Sequence, residues 1–201
     1  MASGPIPHVL VLAAGAGRRF GGPKQLARLG GETLLQAAVA RATEVAGHAV
    51  TVVLGAHAAE VAPRLRGSTA SIVVNRRWEE GLASSLRAGV AALPGSTEGV
   101  LVTLADQAAV TTFDLRRLVA QWQRQPEHIV AASHGSHVGV PAIFPALYFP
   151  ALLELRGDIG ARPLLHRLAD RTVRVGMPSA AIDVDTPEDL ARLQPAPSGG
   201  A

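Results

Sequence analysis

The residues best equipped for chemistry sit close together near the start of the chain. The run Leu12-Ala13-Ala14-Gly15-Ala16-Gly17-Arg18-Arg19-Phe20-Gly21-Gly22-Pro23-Lys24 holds four glycines within eight residues, with two arginines and a lysine among them. Glycine lets the backbone take positive φ and approach a ligand closely, so that N–H groups rather than side chains face it. With Arg18, Arg19 and Lys24 supplying charge, this is the composition of a loop that wraps an anion such as a phosphate. Lys24 carries additional weight because it is the only lysine among 19 Lys and Arg residues. An ammonium is a compact point charge and a guanidinium a broad fork, so they do not exchange freely where one cation must fit among phosphate oxygens. The bland alternative, a solvated lysine on an exposed loop, does not account for a solitary lysine falling inside the glycine run.

Two familiar glycine loops do not fit. The P-loop requires Gly-Lys-Ser/Thr, whereas Pro23 precedes Lys24 and Gln25 follows it. The dinucleotide fingerprint Gly-x-Gly-x-x-Gly fails because Phe20 stands in the last position and Gly21 comes one place late.

A triphosphate in such a loop calls for a divalent metal, and the metal calls for oxygen ligands. Asp106 closes the apolar run from Gly99, and Asp185 closes Ile182-Asp183-Val184-Asp185. Ligands of an open α/β sheet lie beyond the carboxyl ends of its strands, so both aspartates are candidate metal ligands. Asp183 and Asp185 would share one face of a strand, and either can be the second ligand. A helix cap or turn former is the plainer role for each aspartate, and the alternative is stronger at Asp185. A third cluster runs from Asn75 to Gly89. There Gly81, followed by Ser84 and Ser85 at a helix entrance, either contacts a nucleobase through backbone and hydroxyl groups or simply caps the helix. His134 and His137 have a spacing found in metal sites, but no further ligand lies nearby in sequence, which favours a surface hairpin. The chain has no Gly-x-Ser-x-Gly elbow and no cysteine, which disfavours nucleophilic hydrolase chemistry.

Positioning these groups requires a regular scaffold, and the hydrophobic pattern supplies one. Apolar runs at Val9–Ala14, His48–Leu54, Ser71–Val74, Gly99–Asp106 and Ile129–Ala132 read as strands. Between them, helical spacing covers Thr33–Ala42, Ala58–Leu65, Leu82–Leu93 and Phe113–Gln123. Past His134 the pattern loosens into a turn at Gly135-Ser136, a short strand over Pro141–Phe144, a helix over Ala161–Leu168, and strands at Val173–Val175 and Ile182–Asp185. Thr186 and Pro187 are the N-cap and first residue of a last helix. The fold class is therefore α/β: a doubly wound, mostly parallel sheet with right-handed crossovers, helices on both faces and a small hairpin excursion. Such an excursion is placed to wall a second substrate.

At 201 residues and 48% hydrophobic, the chain supports one core, with a flexible N-terminus at 1–7, one domain over 8–194 and a disordered tail at 195–201. A net charge of +3 with no basic tract and only 3% aromatic residues gives no support to nucleic-acid binding. No apolar run reaches the ~20 residues of a membrane span. The absence of cysteine and of a signal-like start fits a cytoplasmic protein.

Taken in order, Leu12 to Lys24, Asn75 to Gly89, Leu104-Ala-Asp-Gln107, Gly157-Asp-Ile-Gly-Ala-Arg162 and Asp183-Val-Asp-Thr-Pro-Glu-Asp189 resemble the nucleotidyltransferases that attach a nucleotide to the molybdenum cofactor. The likeness spans about residues 8 to 194. The Leu-Ala-Ala-Gly opening is similar to the cytidylyltransferase branch, whereas Leu-Ala-Gly-Gly marks guanylyltransferases. The resemblance implies a Rossmann-like nucleotidyltransferase fold and transfer of CMP from CTP, rather than GMP from GTP, to a molybdopterin-type acceptor. It also implies a molybdoenzyme or its chaperone as recipient of the product. Carried over by position, Gly15, Gly17, Arg18 and Lys24 would hold the triphosphate. Leu12, Ala13, Ala14, Gly81 and Ser85 would contact the base, and Asp106 with Asp185 would hold Mg²⁺. Lys24, Arg18 and Asp106 would then be the catalytic set. This chain has Ala108 where the family usually has proline, and Gly139-Val140-Pro141 in place of Gly-His-Pro. A guanylyl- or sugar-phosphate nucleotidyltransferase, or a nucleotide-binding protein that only senses or delivers a cofactor, are the alternatives.

Overall fold

The computed structural model describes residues 4–194; residues 1–3 and the expected tail at 195–201 lie outside the described residues. In chain order the elements are β1 (His8–Ala13), β2 (Arg28–Leu29), β3 (Glu32–Thr33), α1 (Leu34–Ala46), β4 (Val50–Leu54), α2 (Ala58–Val61), β5 (Ser71–Val74) and α3 (Leu82–Ala91). They continue as β6 (Gly99–Leu104), α4 (Thr112–Arg124), β7 (Ile129–His134), β8 (His137–Pro145), α5 (Phe149–Leu153), α6 (Arg162–Arg167), β9 (Thr172–Gly176) and α7 (Pro187–Leu193). Seven strands form one sheet in the order β5-β4-β1-β6-β8-β7-β9. Only β8 runs against its neighbours, pairing antiparallel with both β6 and β7. The mostly parallel, doubly wound α/β arrangement is the one that the alternating pattern implies.

Burial on both faces explains the continuous apolar strands. In β1, Val9, Val11 and Ala13 join one core with Leu35 and Ala38 of α1 and Leu115, Leu118 and Trp122 of α4. Leu10 and Leu12 point the other way, into a core with Leu86 and Val90 of α3 and Leu164 and Leu165 of α6. Successive strand side chains alternate between faces, so a strand between two helix layers has no polar side to show. Capping boxes start α1 at Thr33 with Gln36, α4 at Thr111 with Asp114, and α7 at Thr186 with Asp189. Each such cap stabilises by about 1 kcal/mol. Ahead of β1, Gln123 Nε2 donates to the Pro5 carbonyl at 3.1 Å and Pro7 is buried. No helix among the described residues is long and apolar enough to cross a membrane.

Two expectations need correction. The short strand expected at Pro141–Phe144 is part of a nine-residue β8, because the Gly135-Ser136 turn closes a hairpin in which His134 faces His137 and pairing runs on past a register shift at Ala131/Ala132. The strand expected at Ile182–Asp185 does not form. A 3₁₀ turn over Pro178–Ala181 leads into an irregular segment that crosses the strand ends, where Val184 N–H donates to Asp106 O at 2.9 Å and the side chain of Val184 is buried. Its apolar-polar alternation anchors one side chain without a neighbouring strand to pair with. Asp183 and Asp185 therefore sit on a crossing segment, not on a strand face.

Candidate active site

The sheet order sets the site. β1 and β6 are adjacent, with Leu12 opposite Leu104, so the glycine loop after β1 and the Asp106 turn after β6 emerge side by side. The Ala105 N–H donates to Leu12 O at 3.0 Å and keeps the two chains together past the end of the ladder. Between them opens a cleft of about 900 Å³.

The loop is shaped from within. Gly17 has φ +63°, and a Cβ there would lie 1.9 Å from the Gly22 carbonyl oxygen, so no other residue fits without remaking the turn. Gly15 meets no such obstacle and lines the cleft. From below, buried Gln25 donates through Nε2 to Ala13 O at 2.8 Å and Gly15 O at 2.7 Å. Gln25 thus ties the loop to the strand that launches it. In the sequence Gln25 only breaks the P-loop pattern; burial of its amide, which no spacing reveals, is what gives it a role. Arg18 is exposed on the cleft, and Arg19 pairs with Asp185 at 2.9 Å.

Lys24 lies at the centre. Its Nζ stands 2.5 Å from Asp106 Oδ2 and 2.9 Å from Asp185 Oδ1. Burial alone would depress its pKa, but Asp106 and then Asp185 outweigh that and raise it above the ordinary value. Asp183 stands beside this cluster. Burial, and then the charges of Asp106 and Asp185, push its carboxyl up to about 6, with Lys24 and Arg162 pulling the other way. The structure therefore brings Asp106, Asp185 and Lys24 together, and adds Asp183 and Arg19 to them.

The expected metal ligands pass a test of fit. Among the described residues no three acidic, histidine or cysteine side chains already stand at coordinating geometry. Even so, Asp106 and Asp185 converge on a single cationic point, and Asp106 Oδ1 is buried without a hydrogen-bond partner. Convergent carboxylates with an unused buried oxygen suit a hard divalent cation.

On the far side of the cleft, Gly81 caps α3 with φ +95°, where a Cβ would come within 2.7 Å of Gly157 O. The Asn75 amide donates to Ser84 Oγ at 2.8 Å and Ser85 Oγ at 3.0 Å, and Asp158 Oδ1 accepts from the Leu82 N–H at 3.1 Å. Both serines are buried, and the Ser85 hydroxyl, which accepts from Asn75, has one hydrogen to give. Asn75 and Asp158 are the positioning residues here, holding the helix start against the Gly157 loop. Leu12, Ala13 and Ala14 are buried along the floor.

Residues 9–172 match the MobA-like NTP transferase domain. The chain belongs to this family. This MobA-like nucleotidyltransferase is 35% identical over 196 residues to a Paenarthrobacter nicotinovorans protein named nicotine blue oxidoreductase, covering 92% of this chain and 94% of that one. It is 30% identical over 203 residues to the Bacillus subtilis purine catabolism protein PucB, covering 93% and 95%. Rv0371c from Mycobacterium tuberculosis H37Rv superposes with a TM-score of 0.77 at 30% identity over 93% of this chain and 97% of that one. A second Rv0371c structure, a complex with manganese, superposes at 0.73 and 30% identity over 92% and 96%.

Proposed function

We propose that this nucleotidyltransferase moves CMP from CTP to the terminal phosphate of the molybdenum cofactor, with Mg²⁺ as its metal. The observation that carries the reading is the Lys24 ammonium held between Asp106 and Asp185 directly beside the glycine loop. The Leu12-Ala13-Ala14-Gly15 opening supports cytosine as the base.

The reaction follows from charge. An oxygen of the acceptor phosphate, already ionised near neutral pH, attacks the α-phosphorus of CTP and forms the new P–O bond. The bond from the α-phosphorus to its bridging oxygen breaks, and pyrophosphate leaves with that electron pair. No general base is required. Gly15 and Gly17 present backbone N–H groups to the triphosphate, and Arg18 and Lys24 offset the charge gathering on the departing pyrophosphate. Gly81 and Ser85 face the base, and Asp106 and Asp185 would hold the metal. Held by these two carboxylates, Mg²⁺ would supply positive charge against the phosphate oxygens.

The test is pyrophosphate release with each of the four nucleoside triphosphates, molybdenum cofactor and Mg²⁺. Release dependent on both CTP and the cofactor is expected. Equal release with GTP moves the reading to a guanylyltransferase, and release only with a sugar phosphate overturns the acceptor. The relative named nicotine blue oxidoreductase motivates a second reading, an oxidoreductase. Oxidation of NADH or NADPH by the purified chain, with no nucleotidyl transfer, would establish that reading instead. The loop's departure from the dinucleotide fingerprint at Phe20 weighs against it.

A further inference from the structure

From Leu12 to Arg18, every backbone carbonyl of the glycine loop already accepts a hydrogen bond. Leu12 O takes the Ala105 N–H at 3.0 Å, Ala14 O the Ala56 N–H at 3.1 Å, and Arg18 O the Gly21 N–H at 3.3 Å. Gly17 O takes those of Phe20 and Gly22 at 3.0 and 3.2 Å. Side chains satisfy the other three: Gln25 Nε2 donates to Ala13 O and Gly15 O, and His57 Nε2 stands 3.1 Å from Ala16 O. Against a carbonyl that nitrogen must carry the hydrogen, so His57 is the donor. By contrast, the N–H groups of Gly15, Ala16, Gly17 and Arg18 donate to no group among the described residues.

Two of these ties decide orientation where residue type does not. In a trans peptide the C=O and the following N–H point in opposite directions. Holding Gly15 O therefore turns the Ala16 N–H away from Gln25, and holding Ala16 O turns the Gly17 N–H away from His57. Ala16 and Gly17 both line the cleft. Glycine takes either hand of backbone conformation, so the composition of Gly15-Ala16-Gly17 does not itself stop these two peptides from flipping. A flipped peptide would aim a carbonyl oxygen where the N–H stood, and it would repel the polyphosphate that the N–H attracts.

Neither side chain has a group to spare for a ligand. Gln25 has two amide hydrogens and both are used, while its Oε1 is buried with no partner among the described residues. The reversed amide is excluded, because it would set Oε1 against two carbonyl oxygens. At 3% exposure, an unsatisfied acceptor is a cost that an apolar side chain of the same size would avoid. The two donated bonds, not packing, thus account for a glutamine here. His57 immediately precedes α2 and does not line the cleft, so it reaches a ligand through Ala16.

We infer that Gln25 and His57 are positioning residues for the triphosphate: they hold back Gly15 O and Ala16 O, and so fix the Ala16 and Gly17 N–H groups as anion donors. This rests on the reading of the cleft as a nucleoside triphosphate site, and adds to it two residues that touch no phosphate.

The probe is inorganic tripolyphosphate with Mg²⁺, followed by calorimetry and by ¹⁵N–¹H spectra, on wild type, Gln25→Met, His57→Leu and His57→Gln. On binding to wild type, the amide protons of Ala16 and Gly17 should move downfield as they take up charge-assisted hydrogen bonds. Gln25→Met and His57→Leu fill the space without a donor, and each should weaken tripolyphosphate about tenfold. The downfield movement should shrink at Ala16 in the first and at Gly17 in the second. His57→Gln restores a donor and should bind within about threefold of wild type. Thermal unfolding checks the fold; if Gln25→Met fails that check, the two His57 variants decide, since the His57 side chain is 30% exposed. Absence of tripolyphosphate binding, a bound wild type in which neither amide moves downfield, or wild-type affinity in a folded Gln25→Met or His57→Leu each overturn the inference. His57→Gln binding no better than His57→Leu overturns the donor role of the histidine. Tripolyphosphate binding with these signatures, but no pyrophosphate release from any nucleoside triphosphate, would sink the reaction and spare the positioning. Nucleotidyl transfer with the same KM for CTP in Gln25→Met, His57→Leu and wild type would do the reverse.

Discussion

Removing the ammonium at the centre of the cleft, while leaving its carboxylates, has a consequence that can be worked from the geometry. Lys24 Nζ is 2.5 Å from Asp106 and 2.9 Å from Asp185, with side-chain exposures of 15%, 19% and 29%. Lys24→Ala leaves those two carboxylates, with Asp183 beside them, facing one another without their shared cation. Breaking a fully buried pair costs ~3–5 kcal/mol, and the remaining solvent contact here brings the expectation to ~2 kcal/mol. For a chain of this size that is a fall of roughly 4–8 °C in Tm. Because Asp106 and Asp185 raise the pKa of Lys24, its contribution is whole below the ordinary 10.5 and is lost only as pH rises through the higher folded value. The deficit of the alanine variant should therefore shrink as pH falls through neutrality into acid, because Asp183, pushed up to about 6 even with Lys24 present, protonates first and stops repelling. A divalent cation should restore part of it, since converging carboxylates are hard-cation ligands. Lys24→Arg keeps the charge and should lose less stability, yet slow transfer by about 10²-fold, because the wider guanidinium cannot sit at the same point. The assay is calorimetric unfolding of wild type, Lys24→Ala and Lys24→Arg at neutral and acid pH, with and without Mn²⁺, beside kcat/KM for CTP. A Tm for Lys24→Ala within about 1 °C of wild type at neutral pH would refute the coupling, and wild-type kcat/KM in Lys24→Arg would remove geometry from the role of the lysine.

Asp106→Asn should keep the fold, weaken Mn²⁺ binding at least about tenfold and abolish most metal-dependent turnover, since an amide is a poorer ligand for a hard cation; unchanged Mn²⁺ affinity would exclude Asp106 as principal ligand. Ala14→Gly should relax the preference for CTP over GTP by no more than the ~1–3 kcal/mol that one methyl is worth, and an unaltered ratio of kcat/KM would take Ala14 out of base choice. Gly17→Ala cannot keep the loop closed around the Gly22 carbonyl, 1.9 Å from its new Cβ, so CTP affinity should fall by more than about tenfold, as a misplaced binding loop predicts; calorimetric titration with CTP reads it, and wild-type affinity contradicts it. His8 contacts Thr51 Oγ1 at 2.8 Å, and burial lowers its pKa below 6.5. Between 6.5 and the lower folded value the unfolded chain takes up a proton that the folded chain refuses, so stability falls with pH across that window. Urea midpoints of His8→Gln should flatten there, and a pH dependence parallel to wild type would clear His8.

Much of this arrangement is legible in the sequence because its signals are local. The strands buried on both faces announce themselves as unbroken apolar runs, and Thr186-Pro187 marks a helix start that the structure caps as expected. The failures are also local in origin. Ile182-Asp183-Val184-Asp185 has the period of a strand, but a strand needs a neighbour, and this segment crosses the ends of the others instead of lying beside one. β8 reaches back to His137 because the hairpin turn supplies pairing that the sequence pattern around Gly139 does not advertise. Gln25 reads as an ordinary polar residue until its amide is seen buried against Ala13 and Gly15.

The contact between Lys24 and Asp106 belongs to neither motif alone. Each motif places its residue beyond the end of a strand, one after β1 and the other after β6, and says nothing of the distance between them. That distance follows from strand order. Because β6 returns to pair directly with β1, in the register Leu12 opposite Leu104, a loop leaving one strand and a turn leaving the other must share the same edge of the sheet. Asp185 reaches the same ammonium by a different route. Val184 is buried and its N–H is held by Asp106 O, so the next residue along is delivered to the cleft. The site is thus assembled from one adjacency in the sheet and one anchored crossing. The buried anchor at Val184 is what brings Asp185, rather than a residue on a strand face, to Lys24.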